Sequence, residues 1–407
     1  MDLVKLEGKY GEAKVFTSDL EKGAKDQIIN LLDQKFVKGA DVRIMPDVHQ
    51  GKGSVIGFTA DLKDKVIPNI VGVDIGCGVL TVELGDKDID FHKLDETIKK
   101  KVPSGRHVHK GSSIRFEKAE DLTVFRELKN TKRIDRSIGT LGGGNHFIEV
   151  GVDSDGKKYM TIHSGSRNLG HQIATIHQEY AVDLCSGKKE YYERKHKLID
   201  DFKARGKRDD IEGALREMRK EYKGQKPSLP RDLCYLEGEF RDNYIHDMKI
   251  AQEYASLNRK TMADNILKAM FGKELDDYSH FETVHNYISF EDNIIRKGAI
   301  SAYEDEKLLI PINMRDGSII ARGKGNPDWN YSAPHGAGRL MSRTEAKKSL
   351  SLNDFKETMK GIYSTSVHKG TLDESPRAYK DIEDIIDSMG DTVEVVDRIK
   401  PVYNFKA

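Results

Sequence analysis

The chain has 407 residues, and its 67 lysines and arginines equal its 67 aspartates and glutamates in number. Because the net charge is zero, a surface for a polyanion would have to be local and hidden in the whole-chain sum. No stretch approaches the ~20 apolar residues that span a bilayer, and three scattered cysteines exclude a disulfide framework. The composition predicts a cytoplasmic globular protein with no membrane partner.

The first 180 residues alternate between helical and strand-like patterns. Apolar spacing predicts a helix over 20–36, and a glycine- and β-branched-rich stretch predicts strands joined by loops over 42–62. Residues 147–166 predict a hairpin with its turn at 154–156. A further helix is expected from Leu169.

The composition changes at about Gly187. Residues 187–270 are dense in charge and are interrupted near GQKPSLPRD, which predicts a helical excursion lying over the core. Strand patterns then return with a hairpin turn at 315–317. Helices are expected over 335–350, 351–362 and 379–390, before a C-terminal strand. With no repeat and no linker, residues 1–407 are predicted to form one α+β catalytic unit with a β-sheet core flanked by helices.

Two glycine-rich segments carry candidate metal ligands. Gly72–Gly78 places Asp74 and Cys77 three residues apart on a tight backbone path, which suits a metal-binding pair. A turn around a buried, inert cysteine explains the segment equally well. In 141–149, three glycines suit phosphate binding, and Asn145, His146 and Glu149 follow. Strand alternation would send His146 and Glu149 to opposite faces, so a shared site requires an irregular turn at 145–146; a structural histidine is the alternative.

Three further segments offer imidazoles. His163-Ser-Gly-Ser-Arg167 suits phosphate beside a metal, and His285 ends a strand-like run; either histidine also fits an ordinary loop. In Ser332–Arg339, small residues leave His335 unobstructed, so that its imidazole could attack phosphorus. A glycine-rich helix entry is the alternative. Asp47 and His49, in MPDVHQGKG, suit residues that orient a metal ligand or substrate, or a structural loop.

Together the segments resemble one family. GVDIGCG, GTLGGGNHFIE, HSGSRNLGH, VHNY and HGAGR, followed by Lys406, occur in the order found in RtcB-type RNA-splicing ligases, over nearly the whole chain. The resemblance implies an RtcB-like fold with two manganese ions, Cys77 bridging them, bound by Asp74, Cys77, His146, His163 and His285. It implies that His335 becomes attached to GMP. It further implies GTP contacts from Asn145, Glu149, Arg167, Asn286, Gly336, Ala337, Gly338, Arg339, Tyr379 and Lys406, with Glu149 and Lys406 reading the guanine.

The resemblance also implies a reaction. An RNA 2′,3′-cyclic phosphate is opened to a 3′-phosphate, GMP from the enzyme is transferred to that phosphate, and the 5′-hydroxyl of a second RNA displaces GMP. The expected partners are GTP and broken RNA, in RNA repair or tRNA splicing.

The chain departs from the family at one place. Many members carry Gly-Ser-Met-Gly before the HGAGR segment, with its serine near the guanine. The corresponding stretch here is 311–318, where Ser318 is the candidate replacement. This departure predicts a divergent bacterial-type branch and leaves its nucleotide preference and natural RNA open.

Two other functions fit the same residues. A binuclear metallophosphoesterase would use the five ligands to activate water, with His335 as a bystander or general acid. An RNA-binding protein with one structural metal would use fewer ligands, because structural sites close tetrahedrally. The basic runs 99–101 and 106–110 suit RNA phosphates or a solvated surface.

Overall fold

The computed structural model describes residues 3–112, 114–207, 210–221 and 226–406. Its α-helices are α1 Lys22–Leu32, α2 Pro68–Val71, α3 Phe91–Lys101, α4 Lys132–Ser137, α5 Arg167–Cys185, α6 Lys189–Ala204, α7 Ile211–Glu221, α8 Glu239–Phe271, α9 Arg343–Ser349, α10 Leu352–Thr358 and α11 Ile382–Met389. Its strands are β1 Val4–Glu7, β2 Glu12–Val15, β3 Val42–His49, β4 Ile56–Ala60, β5 Lys65–Val66, β6 Gly78–Gly85, β7 Phe147–Val152, β8 Lys158–Ser164, β9 Leu236–Glu237, β10 His280–Val284, β11 Asn286–Ile288, β12 Ile295–Lys297, β13 Ala299–Ser301, β14 Lys307–Asn313, β15 Gly317–Gly323, β16 Ser332–Pro334 and β17 Val393–Lys406.

Two larger sheets organise these strands. A seven-stranded antiparallel sheet has the order β10-β6-β8-β7-β17-β15-β14, and a six-stranded sheet has the order β1-β2-β3-β4-β12-β11. Helices α3 and α8 pack on the seven-stranded sheet and bury aliphatic residues such as Ile98, Ile162 and Ile266. Each such burial contributes about 1.5–3 kcal/mol. The mixture of sheets and packed helices confirms the α+β class.

Strand β17 joins the two halves of the larger sheet. Its first half pairs with β15 and its last residues pair with β7, with a register shift between Pro401 and Tyr403. The shift lets one long strand serve two neighbours. It also sets Asn404 opposite Glu149 and Lys406 opposite Phe147, so side chains from the C-terminus share a face with β7.

Most predicted elements are confirmed. The hairpins β7–β8 and β14–β15, strands β3 and β4, helices α1, α5, α10 and α11 and the C-terminal strand all form. The helix expected over 335–350 begins only at Arg343, with Ser342 as its N-cap. Residues 335–342 form a loop instead, because Gly336 and Gly338 disfavour helix, and Gly338 adopts a φ of 72°.

The charged segment 187–270 is placed differently from the expectation. Helices α6 and α7 are mostly exposed, but α8 lies in the core, and its buried residues include Tyr244, Met248 and Ile266. The prediction that the segment lies over the core is therefore wrong for α8. The reason is that buried polar side chains of α8 have hydrogen-bond partners, which removes most of the cost of burying them. The unit 1–407 and the excursion bounds 187–270 stay predictions.

No helix in the described ranges combines the length and apolar character needed to cross a membrane.

Candidate metal and nucleotide site

Neighbouring antiparallel strands bring four candidate ligands to one end of the larger sheet. Cys77 precedes β6, His146 precedes β7, His163 lies near the end of β8, and His285 follows β10. The register places Gly78 opposite both Ser164 and Val284, and Phe147 opposite His163. Because antiparallel strands start and end alternately at the same edge, ligands far apart in sequence meet there.

The ligands form two groups that share one sulfur. In one group the donor atoms of Cys77, His163 and His285 lie within 4.8 Å of one another, and in the other those of Asp74, Cys77 and His146 do so. Cys77 Sγ lies 3.3 Å from His163 Nε2 and 3.5 Å from His146 Nε2. A thiolate common to two groups of donors is the arrangement required to bridge two cations.

Backbone carbonyls fix which imidazole nitrogens face inward. His146 Nδ1 lies 2.8 Å from the Leu141 carbonyl oxygen, and His163 Nδ1 lies 3.3 Å from that of Asn145. Donation of the Nδ1 protons leaves each Nε2 with a free lone pair. Burial, the largest cause, lowers the pKa of His163 and of His285 well below the usual value. Both imidazoles are therefore held neutral, as metal ligation requires.

The inward atoms face one another as acceptors. His146 Nε2 lies 3.0 Å from Asp74 Oδ2, and His163 Nε2 lies 3.4 Å from His285 Nε2. With its Nδ1 proton donated to the Leu141 carbonyl oxygen, a neutral His146 has no hydrogen to place between its Nε2 and the Asp74 carboxylate. A cation bound by both atoms removes this conflict, so the donor set fits metal ions.

Two polar residues of α8 hold the ligand-bearing loops. Arg259 Nη1 donates to the carbonyl oxygens of Gly76 and Ser164, both at 2.8 Å. Asn258 Nδ2 donates to the Gly165 carbonyl oxygen at 3.2 Å. Sequence reasoning missed these positioning residues, because they lie in a charged helix without a motif.

Asp47 holds the imidazole of His335. Its Oδ2 lies 2.6 Å from His335 Nδ1 and accepts the His335 backbone N–H at 3.2 Å. Asp47 is fully buried, whereas the side chain of His335 is 18% exposed. The carboxylate thus favours the tautomer of the neutral ring that carries its proton on Nδ1 and presents the lone pair of Nε2. The imidazole contacts that of His285, with ring centroids 4.8 Å apart, so it adjoins the Cys77–His163–His285 group.

A cavity opens beside His335. It is lined by residues from both sheets and from the loop 335–342. Sequence-predicted residues in its wall are His49, Asn145, Glu149, His163, His335, Gly336, Ala337, Gly338, Arg339, Tyr379 and Lys406. Glu149 lies within β7, whereas His146 precedes the strand in an irregular turn. Strand alternation therefore does not apply to His146, and the two side chains can belong to adjoining parts of one site.

One wall of the cavity carries acceptors without donors. Asn404 Nδ2 donates to Glu149 Oε2 at 2.8 Å, whereas Glu149 Oε1 and Asn404 Oδ1 are buried with no partner among the described residues. Burial raises the pKa of Glu149 to about 8, against the opposing effects of Asn404 and Lys406. Unpaired buried acceptors are costly, so this wall suits a ligand that donates hydrogen bonds.

A second carboxylate was missed from the sequence. Glu374, which ends a 3₁₀ helix at Lys369–Glu374, lies 2.5 Å from Lys406 Nζ and accepts from Tyr379 Oη at 2.9 Å. Arg343 Nη1 lies 2.8 Å from its other oxygen. Nothing in the surrounding sequence marks Glu374, because its role depends on the return of the C-terminal strand.

Comparison with known proteins gives a consistent answer. The family model described as tRNA-splicing ligase RtcB matches residues 27–131 and 118–407. The chain belongs to the RtcB family. It is 32% identical to the RNA-splicing ligase RtcB of Escherichia coli K12, over 95% of each protein. It is 28% identical to the tRNA-splicing ligase RtcB of Archaeoglobus fulgidus, over 94% of this chain and 91% of that protein.

Three residues expected to contact nucleotide by resemblance to the RtcB family lie elsewhere than in the cavity wall. Asn286 binds backbone, accepting from Gly298 N at 3.0 Å and donating to the Asp74 carbonyl oxygen at 3.3 Å. Ser318 is fully buried in β15, and the wall there is formed by 311–314 and Gly317. Ser318 therefore does not replace the family serine, because strand alternation directs it into the core.

Arg167 lies on the side of the metal ligands that faces Asp74 and Thr140, outside the wall of the cavity at His335. Its Nε donates to Thr140 Oγ1 at 3.2 Å and its Nη2 to the Gly105 carbonyl oxygen at 3.4 Å. A Cβ on Gly142 would overlap the guanidinium, so glycine is needed there. Asp74, which contacts His146, lies on this same side, and its approach requires Gly165, whose Cβ would be 2.3 Å from Asp74 Oδ1.

Proposed function

We propose that this chain is a GTP- and manganese-dependent RNA ligase that joins RNA 3′-phosphate or 2′,3′-cyclic phosphate ends to 5′-hydroxyl ends. The observation that carries the proposal is the placement of His335. Its imidazole lines a cavity beside two cysteine-linked ligand groups, and a buried carboxylate holds the Nδ1 nitrogen. A metallophosphoesterase would not need that orientation. The proposal places the enzyme in the cytoplasm, where broken RNA would be its substrate.

Two Mn²⁺ ions fit the ligand set. Asp74, Cys77 and His146 would hold one ion, and Cys77, His163 and His285 the other. Imidazole, carboxylate and thiolate donors also suit Zn²⁺, so geometry and availability select the metal. The bound ions would supply charge neutralisation at the phosphates.

GTP fits the cavity. Once Glu149 gives up its proton, Glu149 Oε1 and Asn404 Oδ1 match the N1–H and exocyclic amine of guanine as acceptors, and adenine has no hydrogen on N1. Arg339 and Lys406 add positive charge within the same wall. Gly336 and Gly338 line the cavity without side chains, so the sugar-phosphate of GTP could lie close to the backbone of this loop. Specificity for guanine would then rest on Glu149 and Asn404 in place of the family serine.

The chain's own residues account for nucleotide transfer. His335 Nε2 attacks the α-phosphorus of GTP, a phosphorus–nitrogen bond forms, and pyrophosphate leaves. Asp47 accepts the Nδ1–H throughout and stabilises the positive charge that develops on the ring. The RNA 3′-phosphate then attacks the GMP phosphorus, which releases His335. Finally the 5′-hydroxyl attacks the RNA 3′-phosphorus, its proton passes to solvent, and GMP leaves. A 2′,3′-cyclic end enters this sequence after water has opened it to the 3′-phosphate.

Labelling with α-³²P GTP in the presence of Mn²⁺ tests the proposal. We expect an acid-labile label on the native protein and none on His335→Ala. His171→Ala is the matched control, because His171 is an exposed histidine of α5. The proposal fails if the native protein loads two metals and acquires no label from any nucleotide; hydrolysis of a phosphoester under those conditions would favour the phosphoesterase.

A further inference from the structure

The loop that follows α3 is fastened to the glycine-rich loop of the metal site. Gly105 N donates to the Gly142 carbonyl oxygen at 2.8 Å, and the Gly105 carbonyl oxygen accepts from Arg167. The other end of the loop is bound to α4, because His109 N donates to the Arg136 carbonyl oxygen at 3.0 Å. Residues 104–110 therefore form a fixed rim that leads outward from Arg167.

This rim and its neighbours concentrate positive charge in a chain whose net charge is zero. Residues 100–111 and 132–137, called here the basic surface, contain a single carboxylate, Asp135, which accepts the backbone N–H of Phe116. They contain seven cations, namely Lys100, Lys101, Arg106, Lys110, Lys132, Arg133 and Arg136. Neighbouring Lys99 and Arg115 form ion pairs, whereas none of these seven does so with a described carboxylate.

The like charges reach as far as the metal site. Arg133 Nη2 donates to the Arg106 carbonyl oxygen at 2.5 Å. This bond holds the side chain of Arg133 against the backbone of Arg106. The pKa of Arg167 is lowered, first by burial and also by the positive charge of Arg133. The Asp74 carboxylate opposes this effect on Arg167, and an anion placed between the two guanidinium groups would offset the remaining repulsion.

A groove continues the surface away from the metal site. Its lining includes Lys100, Lys101 and His109 from the rim side, and Thr261 and Asn265 from α8. Its lining offers hydrogen-bond donors and one carboxylate, Asp135. Exposed Arg106 and Lys110 therefore lie on the rim between the largely buried Arg167 and this groove.

We propose that the basic surface binds the phosphate backbone of the RNA whose end enters the Asp74–Cys77–His146 side of the metal site. This inference rests on the proposed function and extends it, since it assigns the nucleotide and the RNA to opposite sides of the ligand cluster. GTP occupies the cavity at His335, beside the other ligand group. RNA fits better than an acidic protein, because the cations are long, exposed side chains in an extended path without an apolar centre.

Recognition by phosphate contacts has a distinct signature. Binding weakens steeply with salt and depends little on base sequence. Each lost phosphate contact lowers the slope of log affinity against log salt by about 1. A protein-binding or purely solvated surface would show neither property towards RNA.

The test compares two charge-reversed variants of the full chain. The first carries Lys100→Glu, Lys101→Glu, Arg106→Glu and Lys110→Glu. The matched control carries Lys9→Glu, Lys25→Glu, Lys35→Glu and Lys38→Glu, four exposed lysines near α1. Fluorescence anisotropy measures binding of a labelled single-stranded RNA with a 3′-phosphate at several salt concentrations, and GTP labelling of each protein measures nucleotide transfer without RNA.

We expect the first variant to retain its GTP labelling, to lose at least about tenfold in RNA affinity, to lose ligation, and to show a smaller salt slope by about 1 per contact. The control should match the native protein. Equal RNA affinity and salt slope in the first variant and the native protein would overturn the inference, as would an equal loss in the control. If the reversals prevent folding, the pairs Lys100→Ala with Lys101→Ala and Arg106→Ala with Lys110→Ala are judged by the same criteria. Failure of the native protein to label would refute the proposed function, whereas anisotropy would still decide the surface.

Discussion

Asp47 Oδ2 lies 2.6 Å from His335 Nδ1 and 3.2 Å from the backbone nitrogen of the same residue. One buried carboxylate therefore fixes both the ring and the main chain of His335. Gly338 makes this approach possible, because a Cβ there would lie 2.9 Å from the Asp47 carbonyl oxygen. The strand β3 and the loop 335–342 are thus joined through Asp47 and His335, which are 288 residues apart in the sequence.

Replacement of Asp47 by asparagine should slow labelling of His335 by GTP. An amide can donate to Nδ1 as well as accept, so it permits the tautomer in which Nε2 is protonated and unreactive. Comparable loss of the orienting carboxylate costs on the order of 10²–10⁴-fold in rate. Single-turnover labelling measures the effect, and metal content should remain unchanged. A rate within twofold of the native protein would contradict this role.

Cys77 should be required for both metals, because its sulfur belongs to both ligand groups. Cys77→Ala is expected to lower metal content from about two ions per chain to none or to weak occupancy. Asp74→Ala and His285→Ala each remove a ligand of one group and should retain about one ion. Elemental analysis after dialysis distinguishes these results. Equal metal loss in all three variants would show that the two groups are not independent.

The five candidate ligands were identified through the resemblance to the RtcB family, because each segment taken alone also fits an ordinary turn or loop. Gly76 and Gly78 flank Cys77, and Gly336 follows His335. Their meeting point could not be predicted, since it depends on the register of β10, β6, β8 and β7. Strand alternation had predicted that His146 and Glu149 face opposite sides of the sheet. This conflict does not arise, because β7 begins at Phe147, one residue after His146.

The polar core of α8 was not predictable from pattern. Arg259 is 1% exposed, and its partners are carbonyl oxygens of Gly76 and Ser164 together with Glu282. Hydropathy places arginine at the surface, because burial is acceptable only when distant partners satisfy it. Glu374 escaped notice likewise, since Lys406 reaches it from the end of the chain.

Stability of the metal-free protein should depend on pH through Glu149. The folded-state pKa is raised to about 8, whereas an unfolded glutamate titrates near ~4.3. Below about pH 4 both states are protonated. As pH rises towards 8, only the unfolded state loses its proton, so the free energy of unfolding falls. Glu149→Gln removes this contribution, and its stability relative to the native protein should rise over that window.

Urea unfolding at a series of pH values, with a chelator present, measures the effect. The relevant quantity is the difference in unfolding free energy between Glu149→Gln and the native protein, which cancels titration elsewhere. A difference that does not change between pH 5 and 8 would show that Glu149 is ionised in the folded state.

The Lys406–Glu374 pair should contribute to both stability and nucleotide binding. Both side chains are less than a tenth exposed, and the attraction of Lys406 helps to hold the pKa of Glu374 below its usual range despite burial. Lys406→Met leaves that carboxylate buried with Arg343 and Tyr379 as remaining partners, which should cost about 3 kcal/mol. The double variant Lys406→Met with Glu374→Gln should recover much of the stability while still binding GTP weakly, because the cavity has lost one of its cations. Urea unfolding measures the effect on stability, and GTP titration measures the effect on nucleotide binding. A double variant no more stable than Lys406→Met would indicate that the protein is destabilised by lost packing of the lysine stem and not by the unpaired charge.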